Sequence, residues 1–142
     1  MLGRRRFSRV GDIVWYEYSQ NNSGGNYVYD DNRGLSERVF IEADSAKEAD
    51  EYAESIGIYF NGVDDDMDCD CCGDRWYPQA GWTGGDKQGK NLDELRKTIN
   101  TVLKYRWRTN GNAIYIHFKD GSFVGDKDKN AGELTGRLKA PG

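Results

Sequence analysis

Arg38-Val39-Phe40-Ile41-Glu42-Ala43-Asp44-Ser45 is the stretch that decides the fold, because it ends a strand and starts a helix. Its apolar residues alternate, with Val39 and Ile41 on one face, which is the period-two pattern of a strand. Ser45 is followed three positions later by Glu48, the spacing of a helix capping box. The stretch therefore predicts a strand over 38–42 that leads directly into a helix.

The helix that follows carries one apolar stripe. Its members recur at helical spacing, namely Ala46, Ala49, Ala53 and Ile56. Gly57 comes directly after the stripe, where a glycine commonly ends a helix. A second helix begins near Asn91, which repeats the capping-box spacing with Glu94. Its apolar stripe consists of Leu92, Leu95, Ile99, Val102 and Leu103.

Segments rich in β-branched and aromatic residues predict the remaining strands. They lie at 13–18, 27–29 and 113–118, with a short return strand over 122–124 and a short strand or packed segment over 58–60. Asp120-Gly121 is typical of a two-residue hairpin turn. The order of elements indicates an α+β domain with a mainly antiparallel sheet, two helices and a cysteine-rich loop.

The chain has 142 residues, which fits a single domain. We expect a basic arm over 1–10, a domain over 11–124 and a polar tail over 125–142. The arm carries Arg4, Arg5, Arg6 and Arg9 and no acidic residue. No run of apolar residues approaches the ~20 that a membrane span requires, so we expect no membrane partner.

Acidic residues are concentrated in one part of the chain. Between Glu42 and Asp74 there are twelve acidic residues and a single basic one, Lys47, although the net charge of the whole chain is only −4. The ordinary interpretation is a solvated surface with some affinity for metal ions. A DNA mimic would need negative charges laid out like phosphates. We do not expect nucleic acid itself as a partner.

All three cysteines lie within the acidic stretch, at Cys69, Cys71 and Cys72. Cys69 and Cys72 have the C-x-x-C spacing with which two thiolates reach one zinc ion. A structural zinc needs about four ligands, so we expect Cys71 and the only histidine, His117, to complete the set. The alternatives are thiols in an exposed loop, or a redox site. An odd cluster of cysteines fits a reducing cytoplasm better than a disulfide framework.

Other residues are candidates for ligand or partner binding. Trp15, Tyr16 and Tyr18 are either an aromatic platform for a base or the two faces of a sheet. Asn21, Asn22 and Ser23 begin a glycine-containing loop that can offer N–H groups to a phosphate, or simply join two strands. The final candidate, a site for stacking or for a protein contact, is the segment Arg106-Trp107-Arg108.

Two long motifs resemble small uncharacterised proteins of tailed bacteriophages, expressed in the bacterial cytoplasm. They are Trp15-Tyr16-Glu17-Tyr18-Ser19-Gln20-Asn21-Asn22-Ser23-Gly24-Gly25 and Cys69-Asp70-Cys71-Cys72-Gly73-Asp74-Arg75-Trp76. The resemblance spans about 13–124. It implies a biological context but no biochemical activity. It implies expression in the cytoplasm of a bacterial host and favours proteins that act on host machinery or host defence.

The sequence offers no nucleophile–base pair, and we do not expect an enzyme. We expect a phage accessory protein that binds a host protein and carries a structural zinc. The alternatives are a sponge that sequesters a nucleotide immune signal, and a minor virion component that uses the arginine arm for assembly.

Overall fold

One four-stranded sheet with two helices forms the fold. The computed structural model describes residues 14–21, 27–70, 72–104 and 112–126. The strands are β1 (Val14–Ser19), β2 (Arg38–Ala43), β3 (Ile114–His117) and β4 (Phe123–Gly125), and they lie side by side in that order. The helices are α1 (Ala46–Ser55) and α2 (Leu92–Lys104). The predicted α+β class with two helices is confirmed.

The sheet is mixed rather than simply antiparallel. β1 pairs with β2, and β3 with β4, in antiparallel fashion, whereas β2 and β3 are parallel. The parallel pair follows from the connection, because the chain between β2 and β3 contains both helices and crosses over before it returns. The hydrophobic pattern of each strand cannot show this direction.

Both faces of the sheet are buried. Val39 and Ile41 of β2 face α1, where the alanine stripe of the helix allows close approach. Phe40 points to the opposite face, where it packs with Leu95 and Ile99 of α2. The sheet is therefore a middle layer between two helices, and the aromatic residues of its strands serve as core.

Both predicted helix starts are confirmed by their hydrogen bonds. The Ser45 side chain accepts from the Glu48 N–H at 3.1 Å, while the Glu48 carboxylate accepts from the Asp44 N–H at 3.0 Å. At α2 the Asn91 and Glu94 side chains accept from each other's backbone N–H, both at 2.9 Å. These bonds satisfy N–H groups that have no partner within the helix.

Segment 27–29 is not a strand, contrary to the sequence prediction, whereas 58–60 is the packed segment that was one of its two predicted forms. The N–H and C=O of Val28 both bond to the side-chain amide of Gln20 at 2.8 Å, so they are not free to pair with a strand. The closing hairpin is also longer than the predicted two-residue turn. The Gly121 N–H donates to the Phe118 C=O, which places Lys119 and Asp120 at the centre of the turn.

The predicted basic arm and all but the first two residues of the predicted tail lie outside the described residues. Among the helices that are described, none combines the length and hydrophobicity needed to cross a membrane.

Replacing Leu95 with alanine tests the α2 side of the core. Leu95 is completely buried, so Leu95→Ala should lower the free energy of unfolding by about 2–5 kcal/mol. Denaturant titration followed by circular dichroism measures the change. Asn100→Ala, at an exposed position of the same helix, should change the unfolding free energy by less than about 0.5 kcal/mol. Equal effects of the two changes would contradict the placement of α2.

Candidate functional site

The segment between the two helices, residues 57–90, is called the long loop below. Its described parts contain turns and an isolated bridge at Lys90 but no helix or extended strand. Buried backbone N–H and C=O groups must still be paired, so side chains from the rest of the fold supply partners. The position of the long loop therefore depends on these polar side chains, together with Ile58 and Trp76 of the loop, which are buried in the core.

Asp50 of α1 is the first anchor of the long loop. Its carboxylate accepts hydrogen bonds from the N–H groups of Gln79 at 2.8 Å and Ala80 at 3.0 Å. It also accepts from the Tyr18 hydroxyl at 2.6 Å. Burial, followed by this hydrogen bond, raises the pKa of Tyr18, which therefore stays protonated and remains a donor. One carboxylate thus ties the long loop to both α1 and β1.

Asp68 is the second anchor, and its side chain is fully buried. It accepts from the Arg75 N–H and from the Tyr59 hydroxyl, both at 2.7 Å. The Arg75 guanidinium lies 3.7 Å from the carboxylate and donates to the Gln20 side chain at 3.1 Å. A buried carboxylate is costly unless it is paired, and here the cation and two donors compensate it.

The cysteine segment is attached to the end of β1. The Asn21 side chain donates to the C=O groups of Cys72 at 2.5 Å and Asp74 at 3.2 Å. Cys72 is exposed and Cys69 is disulfide-bonded, whereas Cys71 lies outside the described residues. The disulfide differs from the reduced cluster that we expected. A metal ligand must be a thiolate, so Cys69 cannot serve as one in this form.

His117, the other predicted zinc ligand, is fully buried on the face of the sheet that packs against α1. Its Nε2 lies 2.8 Å from the Gly34 C=O, which can only accept, so Nε2 carries the proton. Its Nδ1 then accepts from the Tyr52 hydroxyl at 2.8 Å. Both ring nitrogens are used by protein partners, which leaves neither available to a metal in this arrangement.

Within the described residues, no group of three or more His, Cys, Asp or Glu side chains is placed to hold a metal ion. Zinc therefore stays a prediction from the sequence. The zinc prediction requires two results. Protein purified without chelator should contain stoichiometric metal, and Cys72→Ser should be less stable than the wild type.

Of the two interpretations of Trp15, Tyr16 and Tyr18, the structure has the two faces of a sheet, because these residues are core. Trp15 is 6% exposed and Tyr18 1% exposed, and Tyr16 is equally buried. They pack on both faces of β1, so none of them can stack on a ligand from solvent. The Asn21 amide is occupied by the cysteine segment. The remaining candidates lie outside the described residues, namely Asn22, Ser23, Arg106, Trp107 and Arg108.

Sequence reasoning missed two exposed aromatic residues that lie on the long loop. Tyr77 is 40% exposed and Trp82 is 41% exposed, and their ring centroids are 6.4 Å apart. The Trp82 indole N–H donates to the Pro78 C=O at 2.7 Å, and the Lys87 ammonium lies 4.9 Å from the Trp82 ring. We call Tyr77, Trp82 and Lys87 the aromatic surface. The signal available in the sequence was Trp82 itself, because a tryptophan between glycines and away from any apolar stripe indicates an exposed ring.

An acidic turn lies close to the aromatic surface. Asp64, Asp65 and Asp66 are exposed, and Met67 beside them is 61% exposed. The Val63 N–H donates to the Asp74 carboxylate at 2.9 Å, which brings this turn to the end of the cysteine segment. A Cβ at Gly73 would lie 3.2 Å from the Tyr77 hydroxyl. Gly73 and Asp74 therefore lie between the acidic turn and the Tyr77 hydroxyl.

Tyr52 and His117 have the spacing of a nucleophile and its base, with Gly34 orienting the histidine. Their proton affinities do not suit catalysis. Burial, and then the charge of Asp120, raises the pKa of Tyr52. Burial lowers the pKa of His117 to about 4. The raised pKa of Tyr52 keeps its hydroxyl protonated, and the lowered pKa of His117 makes the imidazole a weak base. Both shifts argue against activation of the hydroxyl as a nucleophile, so we interpret the pair as structural.

A family model described as "Domain of unknown function (DUF7296)" matches residues 13–132. The chain belongs to this family. The match includes β1 and β4, the long loop and both helices, so the aromatic surface lies within the DUF7296 domain. The comparisons with curated proteins and with solved structures found no match.

The buried state of His117 predicts a dependence of stability on pH. Its pKa is about 4 in the folded protein and 6.5 in an unfolded chain, so only the unfolded state binds a proton between these values. The stability should therefore fall as the pH is lowered from 6.5 to 4, by about 3 kcal/mol for this group.

Denaturant titrations of the wild type and His117→Gln from pH 7 to pH 4 measure this effect. Carboxylates titrate in both proteins, so the difference between the two unfolding free energies isolates His117. That difference should shrink by about 3 kcal/mol. Tyr52→Phe keeps the histidine and should keep the pH dependence. A difference that is constant across the range would contradict a buried, neutral His117.

Proposed function

We propose that this protein is a non-enzymatic binding protein that engages a partner protein through its aromatic surface. The observation that carries the proposal is the pair of exposed rings, Tyr77 and Trp82, on a segment fixed by buried hydrogen bonds. Exposed tryptophan and tyrosine side chains are enriched among the residues that dominate binding energy at protein interfaces.

The anchoring of the long loop supports a role in binding. Gln79 and Ala80 lie between the two rings and are bonded to Asp50. The Gln79 side chain also donates to the Glu17 C=O at 2.7 Å. A surface that is already ordered before binding loses less conformational entropy when the partner arrives. The aromatic surface is thus better suited to recognition than a disordered loop would be.

The context of the binding is also a proposal. The resemblance to tailed-bacteriophage proteins supports a partner from a bacterial host, met in the host cytoplasm, and a role in host takeover or defence evasion. The described residues offer no activated nucleophile for an enzyme, as the Tyr52–His117 pair illustrates.

The alternative functions have less support. Trp82 can stack on a base, but the nearby acidic turn repels the phosphates of a nucleotide signal. The arginine arm on which assembly into a virion would depend lies outside the described residues.

Removing the Trp82 side chain tests the proposal. Full-length protein immobilised on beads should retain a stoichiometric partner from bacterial lysate. Trp82→Ala should reduce that retention about tenfold or more, because a central aromatic anchor is lost. Quantitative mass spectrometry of the retained proteins measures the change, and thermal unfolding verifies that the variant is folded.

Tyr29→Ala is the matched control, since Tyr29 is equally exposed but lies on the connection between β1 and β2. It should retain the partner at the wild-type level. No specific partner for the wild type, or equal losses in both variants, would contradict a role for the aromatic surface.

A further inference from the structure

We propose that the partner meets the aromatic surface with a basic face, the one with which it binds nucleic acid. This inference rests on the proposed function and specifies the chemistry of the partner. It is carried by the apolar side chains Tyr77, Trp82 and Met67 together with uncompensated carboxylates beside them.

The exposed carboxylates on this part of the long loop form no ion pair within the described residues. Asp64, Asp65, Asp66 and Asp70 are all exposed. In the described parts of the chain, none of them forms an ion pair, whereas Glu17, Asp44 and Asp68 each do. Like charges so close in sequence repel one another, so a cationic partner surface gains from meeting them.

The aromatic surface already accommodates a cation. The Lys87 ammonium lies 4.9 Å from the centroid of the Trp82 ring. An arginine guanidinium of a partner can stack on the exposed Tyr77 ring, where cation–π attraction adds to the burial of that ring. Aromatic anchors with an acidic rim therefore complement a face rich in arginine and lysine.

Nucleic-acid-binding faces are the protein surfaces that combine dense positive charge with exposed planar side chains. An acidic turn on the same loop as two exposed aromatic rings offers both complements at once. Nucleic acid itself is an unsuitable ligand, because its phosphates carry the same charge as the four aspartates. The expected consequence is competition, since the partner cannot hold this protein and nucleic acid on one face.

The test uses the immobilised full chain and nuclease-treated bacterial lysate. Retained proteins are eluted with heparin, with a 20-base-pair DNA duplex, or with neutral dextran as the control. Heparin and duplex should each release most of the retained partner, and dextran should release none of it. The released partner should also bind the duplex in a filter assay.

A pair of charge-matched variants localises the effect. Asp64→Asn/Asp65→Asn should weaken retention about tenfold, and the loss should diminish as salt is raised, because the interaction is electrostatic. Glu51→Gln/Glu54→Gln removes two exposed charges from α1 and should retain the partner like the wild type.

The outcomes separate the two proposals. The basic-face inference would be overturned by a partner that Trp82→Ala fails to retain, that heparin does not elute and that Asp64→Asn/Asp65→Asn retains at the wild-type level. The proposed function would still stand in that case. The absence of any partner that depends on Trp82 would overturn both.

Discussion

Two carboxylates, Asp50 and Asp68, hold the long loop in place, and the surface that the protein presents depends on them. The long loop has little regular structure of its own, so its backbone must find partners elsewhere. Asp50 bonds the N–H groups of Gln79 and Ala80, and Asp68 bonds that of Arg75. Charged acceptors make stronger hydrogen bonds than neutral ones, and here they act together with Ile58 and Trp76 of the long loop, which are buried in the core.

The sheet explains why the exposed aromatic residues lie on connections and not on the strands. α1 covers one face and α2 covers the other, so the aromatic residues of β1 are all buried in the core. The exposed rings of Tyr27 and Tyr29 lie between β1 and β2, and those of Tyr77 and Trp82 lie on the long loop. Tyr77 and Trp82 flank the segment that Asp50 anchors, which places the two rings at a fixed separation.

The helices and most strands could be predicted from the sequence because their signals are local. Ser45 with Glu48, and Asn91 with Glu94, form the hydrogen bonds that their spacing implies. The direction of the β2–β3 pair could not be predicted, because it depends on how a long crossover returns. The segment Tyr27-Val28-Tyr29 was wrongly predicted as a strand because the Gln20 side chain takes the bonds that a neighbouring strand would make.

The candidate site was less predictable than the fold, for a physical reason. Asp68 and Asp70 are alike in the sequence, yet one is fully buried against Arg75 and the other is exposed. The sequence predicts His117 as a distant zinc ligand. In the structure its ring nitrogens bond to Tyr52 and Gly34, which come from separate parts of the chain. Burial and long-range hydrogen bonds decide which polar residues are structural and which are available, and spacing along the chain does not encode them.

Hydrogen–deuterium exchange of Asp50→Ala, followed by mass spectrometry, tests the central claim most directly. Asp50 anchors the long loop, so backbone amides of 77–87 should lose protection while those of β2 and β3 keep theirs. Glu51→Ala, at the exposed neighbouring position, should leave both regions unchanged. Unchanged protection of 77–87 in Asp50→Ala, or equal loss across the sheet, would contradict the account.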